Sequence, residues 1–245
     1  AILLLACFAT AAWADNHGDT VEKIRAAMKA DVRGEADTER DRNRRPVETL
    51  EFFGLRDDMK VVELMPGGGW YTKILAPVLA ENGEYYAALG TGRIKERLAG
   101  QPGFENMTLV AEDARIFRPE DARFYAIEAD GLGVTGADMV LTFRNYHNFS
   151  EEGRAALNRM VFDALESGGI YGVVDHTRRH MEGDNPENGR RADPVLVIKE
   201  VQDAGFEFVD YSTLHYRPDD ELRYEVGRPT VTGNTDRFTF KFRKP

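Results

Sequence analysis

The sequence predicts an α/β protein with a doubly wound, mostly parallel seven-stranded sheet, one antiparallel strand and a helical extension at the N-terminus. Two observations predict this class. From residue 59 onwards, short apolar runs typical of strands buried on both faces alternate with segments of helical spacing. Near the end of the chain, Phe238, Phe240 and Phe242 alternate with polar residues, which indicates an antiparallel strand. Alternating strands and helices are typical of a sheet covered by helices on both faces.

The first 14 residues form a segment unlike the rest of the chain. They carry no charge, end in the small–x–small sequence Ala12-Trp13-Ala14 and are followed at once by the polar Asp15. This pattern resembles the apolar region and cleavage site of a secretory signal peptide, and it is too short to span a bilayer as a helix. We therefore expect an exported, periplasmic protein that leaves the membrane after cleavage. A buried N-terminal helix and a lipid on Cys7 are the alternatives.

Residues 15–58 predict a helical extension in front of the sheet domain. Val21, Ile24 and Ala27 recur at helical spacing, and Pro46 and Gly54 are placed as the start and end of another helix. Between them lies a polar stretch with four arginines that alternate with acidic residues: Arg40, Arg42, Arg44 and Arg45, with Glu39 and Asp41. We expect this cluster to form a solvated surface of mixed charge.

Net charge and cysteine content limit the function further. The chain has a net charge of −10, and an acidic surface repels phosphate backbones, so nucleic acid is not an expected partner. Cys7 is the only cysteine and lies in the predicted signal peptide, so the mature chain is expected to lack disulfides and a cysteine nucleophile. These observations favour a small-molecule substrate and leave a homodimer open.

Residues 59–245 predict the sheet domain itself. Strands are expected at residues 60–65, 84–89, 107–111, 137–143, 170–175 and 206–211, before the final alternating strand. Helices are expected at residues 70–80 and 93–99, after a Ser150 cap, and from Asp193-Pro194 to Gly205. Pro77 is expected to end or kink the first of these helices.

The segment from Val61 to Thr72 reads VVELMPGGGWYT and joins a buried strand to a helix through consecutive glycines. Glycines let the backbone approach a ligand closely and leave free N–H groups at a helix start. Glu63 can accept a hydrogen bond from an ammonium group, and ligands of open α/β sheets bind at such strand ends. A dinucleotide site would need a third glycine where Thr72 stands, and a phosphate-binding loop would need Gly-Lys-Ser/Thr. A tight turn without a ligand is a further alternative.

This segment is similar to motif I of class I S-adenosylmethionine (SAM)-dependent methyltransferases, a strand ending Asp/Glu-x-Gly-x-Gly-x-Gly. Glu63, Gly67 and Gly69 match the motif. Glu112-Asp113-Ala114 resembles the acidic motif that contacts the adenine amino group, and residues 165–169 resemble the turn before the fifth strand. The resemblance implies a Rossmann-like domain over residues 59–245 with SAM as cofactor. The residues implied in cofactor binding are Glu63, Met65, Gly67, Gly68, Gly69 and Asp113.

Two positions depart from that family pattern. Met65 stands where the first glycine is usual, and Leu89 stands where an acidic residue usually binds the ribose hydroxyls. The sequences of residues 41–46 and 63–72 together resemble a group of predicted bacterial methyltransferases that often bear signal peptides.

The candidate catalytic residues follow the fourth and fifth strands of the domain. His147 is a candidate base because an imidazole ordinarily titrates near neutrality, and Asn145 can position a polar substrate. His176, which follows Asp175, is a second candidate at the neighbouring strand end. A His147 that only bonds to the backbone of its loop is the alternative interpretation.

The remaining histidines and one polar loop give weaker signals. His176 and His180 are four residues apart, but no third ligand is evident, so no metal site is predicted. His17 and His215 have no supporting pattern and are expected at the surface. Residues 183–191, rich in Gly, Asn and Arg, are expected to form either a mobile lid or a solvated loop.

Three functions remain open at this point. The first is SAM-dependent methyl transfer to an unknown small molecule. The second is an exported protein that binds SAM or another ligand without turnover; the departures at Met65 and Leu89 favour it, as does export away from the cytoplasm where SAM is made. The third, a nicotinamide-dependent oxidoreductase, is weakened by the missing third glycine.

Overall fold

A computed structural model describes residues 19–245, and the predicted signal peptide and His17 lie outside the described residues. The described part begins with four helical segments: α1 (19–28), α2 (Glu35–Thr38), α3 (Asp41–Arg44) and α4 (Pro46–Phe53). Ile24 of α1 and Leu50 of α4 are buried in the core, as their helical spacing predicts. Within residues 19–245, no helix combines the length and apolar character needed to cross a membrane.

Nine strands follow the extension. They are β1 (Lys60–Leu64), β2 (Glu84–Ala88), β3 (Thr108–Val110), β4 (Arg115–Phe117), β5 (Ala126–Glu128), β6 (Ala137–Phe143), β7 (Leu165–His176), β8 (Glu207–Ser212) and β9 (Arg237–Arg243). Seven of them form one sheet in the order β3-β2-β1-β6-β7-β9-β8. In this sheet β9 runs opposite to the other six strands, which confirms the predicted fold class.

The order of strands places a switch point between β1 and β6. From β1 the chain builds outwards through β2 and β3, then returns to the other side of β1 as β6. Ligands of open α/β sheets bind outside the carboxyl ends of the strands at such a point. The topology therefore predicts a ligand site at this edge of the sheet.

Helices cover both faces of the sheet. They are α5 (Thr72–Leu79), α6 (Gly92–Leu98), α7 (Glu151–Ala164) and α8 (Pro194–Asp203), with short 3-10 helices at Tyr146–Asn148 and Pro186–Asn188. The backbone N–H of Gly153 donates to Ser150 Oγ at 3.1 Å, so the predicted cap of α7 is confirmed. One core cluster contains Val61 with α1, α4 and α5, and the other contains Val62 with α7 and α8.

Two local predictions differ from the structure. Pro77 lies inside α5 and does not end it, since the helix continues to the fully buried Leu79; the alternative of a kink at Pro77 stays a prediction. The hairpin of β4 and β5 was not predicted, since each strand has only three residues and none is fully buried. Such short strands carry too few residues for a periodic pattern.

Candidate active site

The residues 66–69, here called the glycine turn, follow β1 at the switch point. Gly67 and Gly69 have φ values of +58° and +82°, which favour glycine. A Cβ at Gly69 would also lie 2.9 Å from Leu98 Cδ1, so packing excludes a side chain there. Gly68 has neither constraint, because its nearest neighbour would be Arg97 Nη1 at 3.6 Å. The fold itself therefore tolerates a side chain at Gly68. Because glycine has none, the space above the turn stays open.

Strained backbone collects at the carboxyl edge of the sheet. The residue directly after each of β1, β2, β3 and β6 is a non-glycine residue with positive φ: Met65 (+49°), Leu89 (+67°), Ala111 (+50°) and Arg144 (+61°). The left-handed conformation costs such residues roughly 1–2 kcal/mol each. Strain of this kind concentrates at binding and catalytic sites. The positive φ of Met65 suits a glycine, which is the usual residue at this place in motif I.

Glu63 is buried beside the glycine turn. Its Oε2 accepts hydrogen bonds from Thr72 Oγ1 at 2.7 Å and Tyr85 Oη at 2.6 Å. Burial raises the pKa of Glu63 to about 7, and the two hydroxyl hydrogen bonds oppose that shift. Because Thr72 is the first residue of α5, Glu63 ties the end of β1 to the helix that follows the turn.

A cavity of about 390 Å³, here called the turn cavity, opens above the glycine turn. Its floor is formed by the end of β1 and the turn, and its far wall comes from the N-terminal extension. The charged residues lining it are Asp37, Arg40, Arg44, Glu63, Lys73, Arg97 and Arg144. The sequence prediction missed the contribution of the extension, because residues 37–44 are distant from motif I in sequence.

Asn145 joins the ends of β1 and β6. Its Nδ2 donates to the carbonyl oxygens of Phe143 at 3.1 Å and Met65 at 3.2 Å. The donors of the amide therefore hold the backbone, and Oδ1 is the atom that remains for a ligand. Asn145 lines the turn cavity and also the larger cavity next to it.

His147 and Asp175 form a buried pair at the ends of neighbouring strands. His147 Nδ1 lies 2.5 Å from Asp175 Oδ1, and the backbone N–H of His147 donates to Oδ2 at 2.9 Å. A carboxylate at Nδ1 holds the proton on that nitrogen and leaves Nε2 as the acceptor, which is the arrangement of a general base. From the sequence, His147 and the Asp175–His176 pair are separate candidates, and the structure brings Asp175 to His147.

His176 has a different environment. Its Nδ1 lies 2.9 Å from Thr235 Oγ1, and only its backbone N–H bonds to Asp175. Burial, followed by the positive charge of Arg237, holds the pKa of His176 well below its ordinary value. His176 is therefore neutral at physiological pH, and its ring lies 5.9 Å from that of His147.

A second cavity of about 600 Å³, here called the arginine cavity, adjoins the turn cavity. His147 and His176 both line it, so the structure brings the two predicted histidines to one space. Six arginines line it as well, and none of its lining residues is acidic: Arg40, Arg44, Arg93, Arg144, Arg190 and Arg237.

Two sequence predictions about exposure are wrong. Arg44, expected on a solvated surface, is 5% exposed and its guanidinium lies 4.3 Å from the centre of the Trp70 ring. His215, also expected at the surface, is 1% exposed, with Nδ1 2.6 Å from Thr239 Oγ1 and Nε2 3.0 Å from the Arg44 carbonyl oxygen. The reason lies in the tertiary structure. Arg45, with its left-handed backbone, turns the extension back onto the sheet, and His215 binds the carbonyl oxygen of the preceding residue, Arg44.

The other candidate residues lie away from the two cavities. Asp113 is exposed in the turn after β3 and lines neither of them, so its proposed adenine contact stays a prediction. His180 pairs with Asp193 rather than His176, and no group of three or more metal-ligand side chains occurs within residues 19–245. Residues 183–191 are partly fixed, because Arg191 is buried and pairs with Asp220 at 2.8 Å.

The fold is similar to that of solved methyltransferases. A SAM-dependent methyltransferase from Aquifex aeolicus superposes with a TM-score of 0.58 at 16% identity, covering 91% of this chain and 97% of its own. The [4+2]-cyclase SpnF gives 0.52 at 16% identity, with 89% and 86% covered. The glycopeptide N-methyltransferase MtfA gives 0.52 at 15% identity, with 83% and 96% covered. A scan against protein-family models and a search of curated proteins gave no match.

At these identities the comparisons define the fold and not the activity. The chain has the fold of class I SAM-dependent methyltransferases, as the resemblance of motif I implied. The presence of a cyclase among the similar structures shows that one fold serves more than one reaction. The function of this chain therefore depends on the residues of the two cavities.

Proposed function

We propose that this protein transfers the methyl group of SAM to a small-molecule acceptor. The observation that carries the proposal is the position of the glycine turn. The turn follows β1 at the switch point, opens into the turn cavity and lies next to the cavity lined by His147. A donor site and a candidate base therefore share one edge of the sheet.

The residues of the turn cavity fit the amino acid end of SAM. Gly68 leaves room above the turn, and the guanidinium group of Arg97, which lines the turn cavity and not the cavity next to it, is suited to a carboxylate. Glu63 is buried and accepts a hydrogen bond from Thr72, so it stabilises the turn. This favours an indirect role of Glu63 in SAM binding. Bound SAM would supply a methyl group on a positively charged sulfur, which is an electrophile. MtfA, which shares the fold at a TM-score of 0.50, has been solved with sinefungin, an analogue of SAM.

The adenosine end is expected over β2 and β3. Leu89 has no group to bind ribose hydroxyls, so this part of the site depends on backbone groups or other side chains. Asp113, in the turn after β3, is the proposed partner of the adenine amino group.

His147 is the proposed base for an acceptor that must lose a proton. Asp175 orients its ring through Nδ1, so Nε2 is the atom that would take the proton. Asn145 would position the acceptor through Oδ1, since its amide hydrogens hold the backbone of Met65 and Phe143. His176, which is neutral, would form a hydrogen bond with the methyl acceptor, either as donor or as acceptor of that bond, without adding a charge to the site.

Ligand binding without turnover is the second candidate function. Leu89 in place of the ribose-binding acid and the strained Met65 both favour it. The similarity to the cyclase SpnF adds that this fold has been used for other chemistry. Formation of S-adenosylhomocysteine with any acceptor would exclude this alternative.

Calorimetric titration with SAM, S-adenosylhomocysteine and NAD tests the cofactor. We expect the two sulfur compounds to bind and NAD to give no heat. Gly68→Ala should weaken SAM binding roughly tenfold or more, because the added methyl occupies the space above the turn. Gly183→Ala is the matched control, since its Cβ would also meet open space but lies in another loop. Equal SAM affinity in wild type and Gly68→Ala, or no binding to wild type, would contradict the proposal.

Export and oligomeric state remain proposals of the same kind. We propose that the protein is periplasmic after removal of residues 1–14 and that nucleic acid is not its substrate. A homodimer is the oligomeric state to be tested. Sedimentation of the mature chain would measure its oligomeric state directly.

A further inference from the structure

The arginine cavity is strongly cationic in a chain that is acidic overall. Six arginines line it without one carboxylate, whereas the whole chain has a net charge of −10. General basicity of the surface therefore does not account for the cluster. The arginines come from five separate parts of the chain: Arg40 with Arg44, Arg93, Arg144, Arg190 and Arg237, of which Arg190 pairs with Glu225 outside the cavity lining.

The inner arginines lack ionic partners. Arg44 is 5% exposed and Arg237 is 8% exposed, yet neither they nor Arg144 forms an ion pair with a described carboxylate. Arg237 Nη1 donates to the Asn43 carbonyl oxygen at 2.9 Å, and its Nε is buried without a partner in the described part of the chain. The negative charge of Asp175 reaches Arg144 and Arg237, but its oxygens are already bound by His147.

Other buried arginines of this chain are paired. Arg191 makes two hydrogen bonds to Asp220, at 2.8 and 3.0 Å, and Arg33 makes two to Asp41, at 2.5 and 3.2 Å. An unpaired buried charge costs several kcal/mol, which is why such groups are almost always paired. The contrast indicates that the arginine cavity is built for a negative charge that the protein does not provide.

Electrostatics within the cluster support this interpretation. Burial lowers the pKa of Arg44 to about 9 and that of Arg237 to about 10, and the positive charge of Arg144 adds to both shifts. Arg144 is held in the cavity wall by a left-handed backbone with φ +61°. An anion in this space would relieve the repulsion among three guanidinium groups and make bidentate hydrogen bonds to them.

We propose that the arginine cavity binds an acceptor with at least two oxyanion groups, either phosphate or carboxylate, a substrate class that rests on the methyl transfer proposed above. The cavity volume of about 600 Å³ suits a small molecule. His147 lines the same space, so an acceptor held by its anionic groups would present a nucleophilic atom near the candidate base. Arg40 and Arg93, which are exposed at the rim, would attract the anion from solution.

The test measures anion binding separately from methyl transfer. Full-length protein is titrated with pyrophosphate and with citrate at constant ionic strength, in the presence and absence of SAM. We expect saturable binding of at least one anion and a rise in the melting temperature with its concentration. Tighter pyrophosphate binding would assign a phosphorylated acceptor, and tighter citrate binding would assign a polycarboxylate. If neither anion shows saturable binding at concentrations up to about 10 mM, the proposal is overturned.

Arg237→Gln is the informative variant because Arg237 lines the arginine cavity and not the turn cavity. We expect at least roughly tenfold weaker anion binding with SAM affinity unchanged. Arg243→Gln is the matched control on the same strand, where the exposed guanidinium pairs with Glu207. If Arg237→Gln does not fold, Arg237→Lys and Arg144→Gln replace it, and anion affinity equal to wild type in both would overturn the proposal. Anion binding without SAM binding would contradict methyl transfer alone, and SAM binding without anion binding would contradict the substrate class alone.

Discussion

His147 Nδ1 lies 2.5 Å from Asp175 Oδ1, although the two residues are 28 positions apart in the chain. Asp175 lies near the end of β7, and His147 lies in the 3-10 helix that follows β6. The parallel pairing of β6 with β7 brings their carboxyl ends to one edge, where the two side chains meet. The pair therefore depends on the register of two strands and not on a local motif.

The first prediction concerns catalysis by this pair. His147→Ala should lower kcat for methyl transfer by roughly 10²–10⁴-fold and leave SAM affinity intact, because a general base acts in the chemical step. Asp175→Asn should lower kcat as well, since an amide can stabilise the other tautomer of His147. Steady-state rates with an identified acceptor, together with calorimetry, measure both quantities. His180→Ala, at a half-exposed histidine paired with Asp193, is the control, and full activity in His147→Ala would eliminate the base role.

The second prediction concerns the buried carboxyl of Glu63. Its pKa is about 7 in the folded protein and about 4.5 when exposed, so the unfolded chain ionises first as the pH rises. The free energy of unfolding should therefore fall between about pH 4.5 and pH 7 by an amount on the order of 3 kcal/mol. Glu63→Gln cannot ionise and should lack this contribution. Urea unfolding across this pH range compares wild type with Glu63→Gln and with Glu112→Gln, whose carboxylate is an exposed partner of Lys95. Parallel pH curves for wild type and Glu63→Gln would refute the assignment.

The third prediction concerns His215. Burial lowers its pKa to about 4, whereas the unfolded chain takes up a proton near the ordinary value of 6.5. Stability contributed by the neutral imidazole is therefore present above about pH 6.5 and is lost as the pH falls towards 4. His215→Gln should reduce this acid sensitivity, while His180→Gln should not. Because His215 Nε2 donates to the Arg44 carbonyl oxygen, His215→Gln should also weaken anion binding in the arginine cavity.

The fourth prediction concerns export. The uncharged segment ending in Ala12-Trp13-Ala14 predicts cleavage before Asp15 and a periplasmic mature protein. Mass spectrometry of the protein from its native host, after fractionation of the cells, measures both the first residue and the compartment. A cytoplasmic protein that keeps residues 1–14 would contradict the prediction, and a lipid-modified Cys7 would support the alternative of a membrane anchor.

The sequence by itself determined the features that depend on neighbouring residues. Apolar runs predicted the strands of the seven-stranded sheet but not the short hairpin of β4 and β5, because burial on both faces of a sheet requires continuous apolar residues. Ser150 set the start of α7 through a hydrogen bond only three residues away. The glycines after β1 marked the turn, since φ values near +60° to +80° are a local requirement that few other residues meet.

Only the tertiary structure decided which side chains share a cavity. Charge alternation around Arg44 predicts a solvated surface, but Trp70 and the carbonyl contact from His215 bury it, and these partners lie 26 and 171 positions away. The partner of Asp175 is also decided by the tertiary structure. Asp175 is next to His176 in the sequence, but the pairing of β6 with β7 brings its side chain to His147. Periodicity and local charge report on the chain within a few turns of a residue. Burial and pairing of a polar side chain are set instead by segments that the sheet topology brings together.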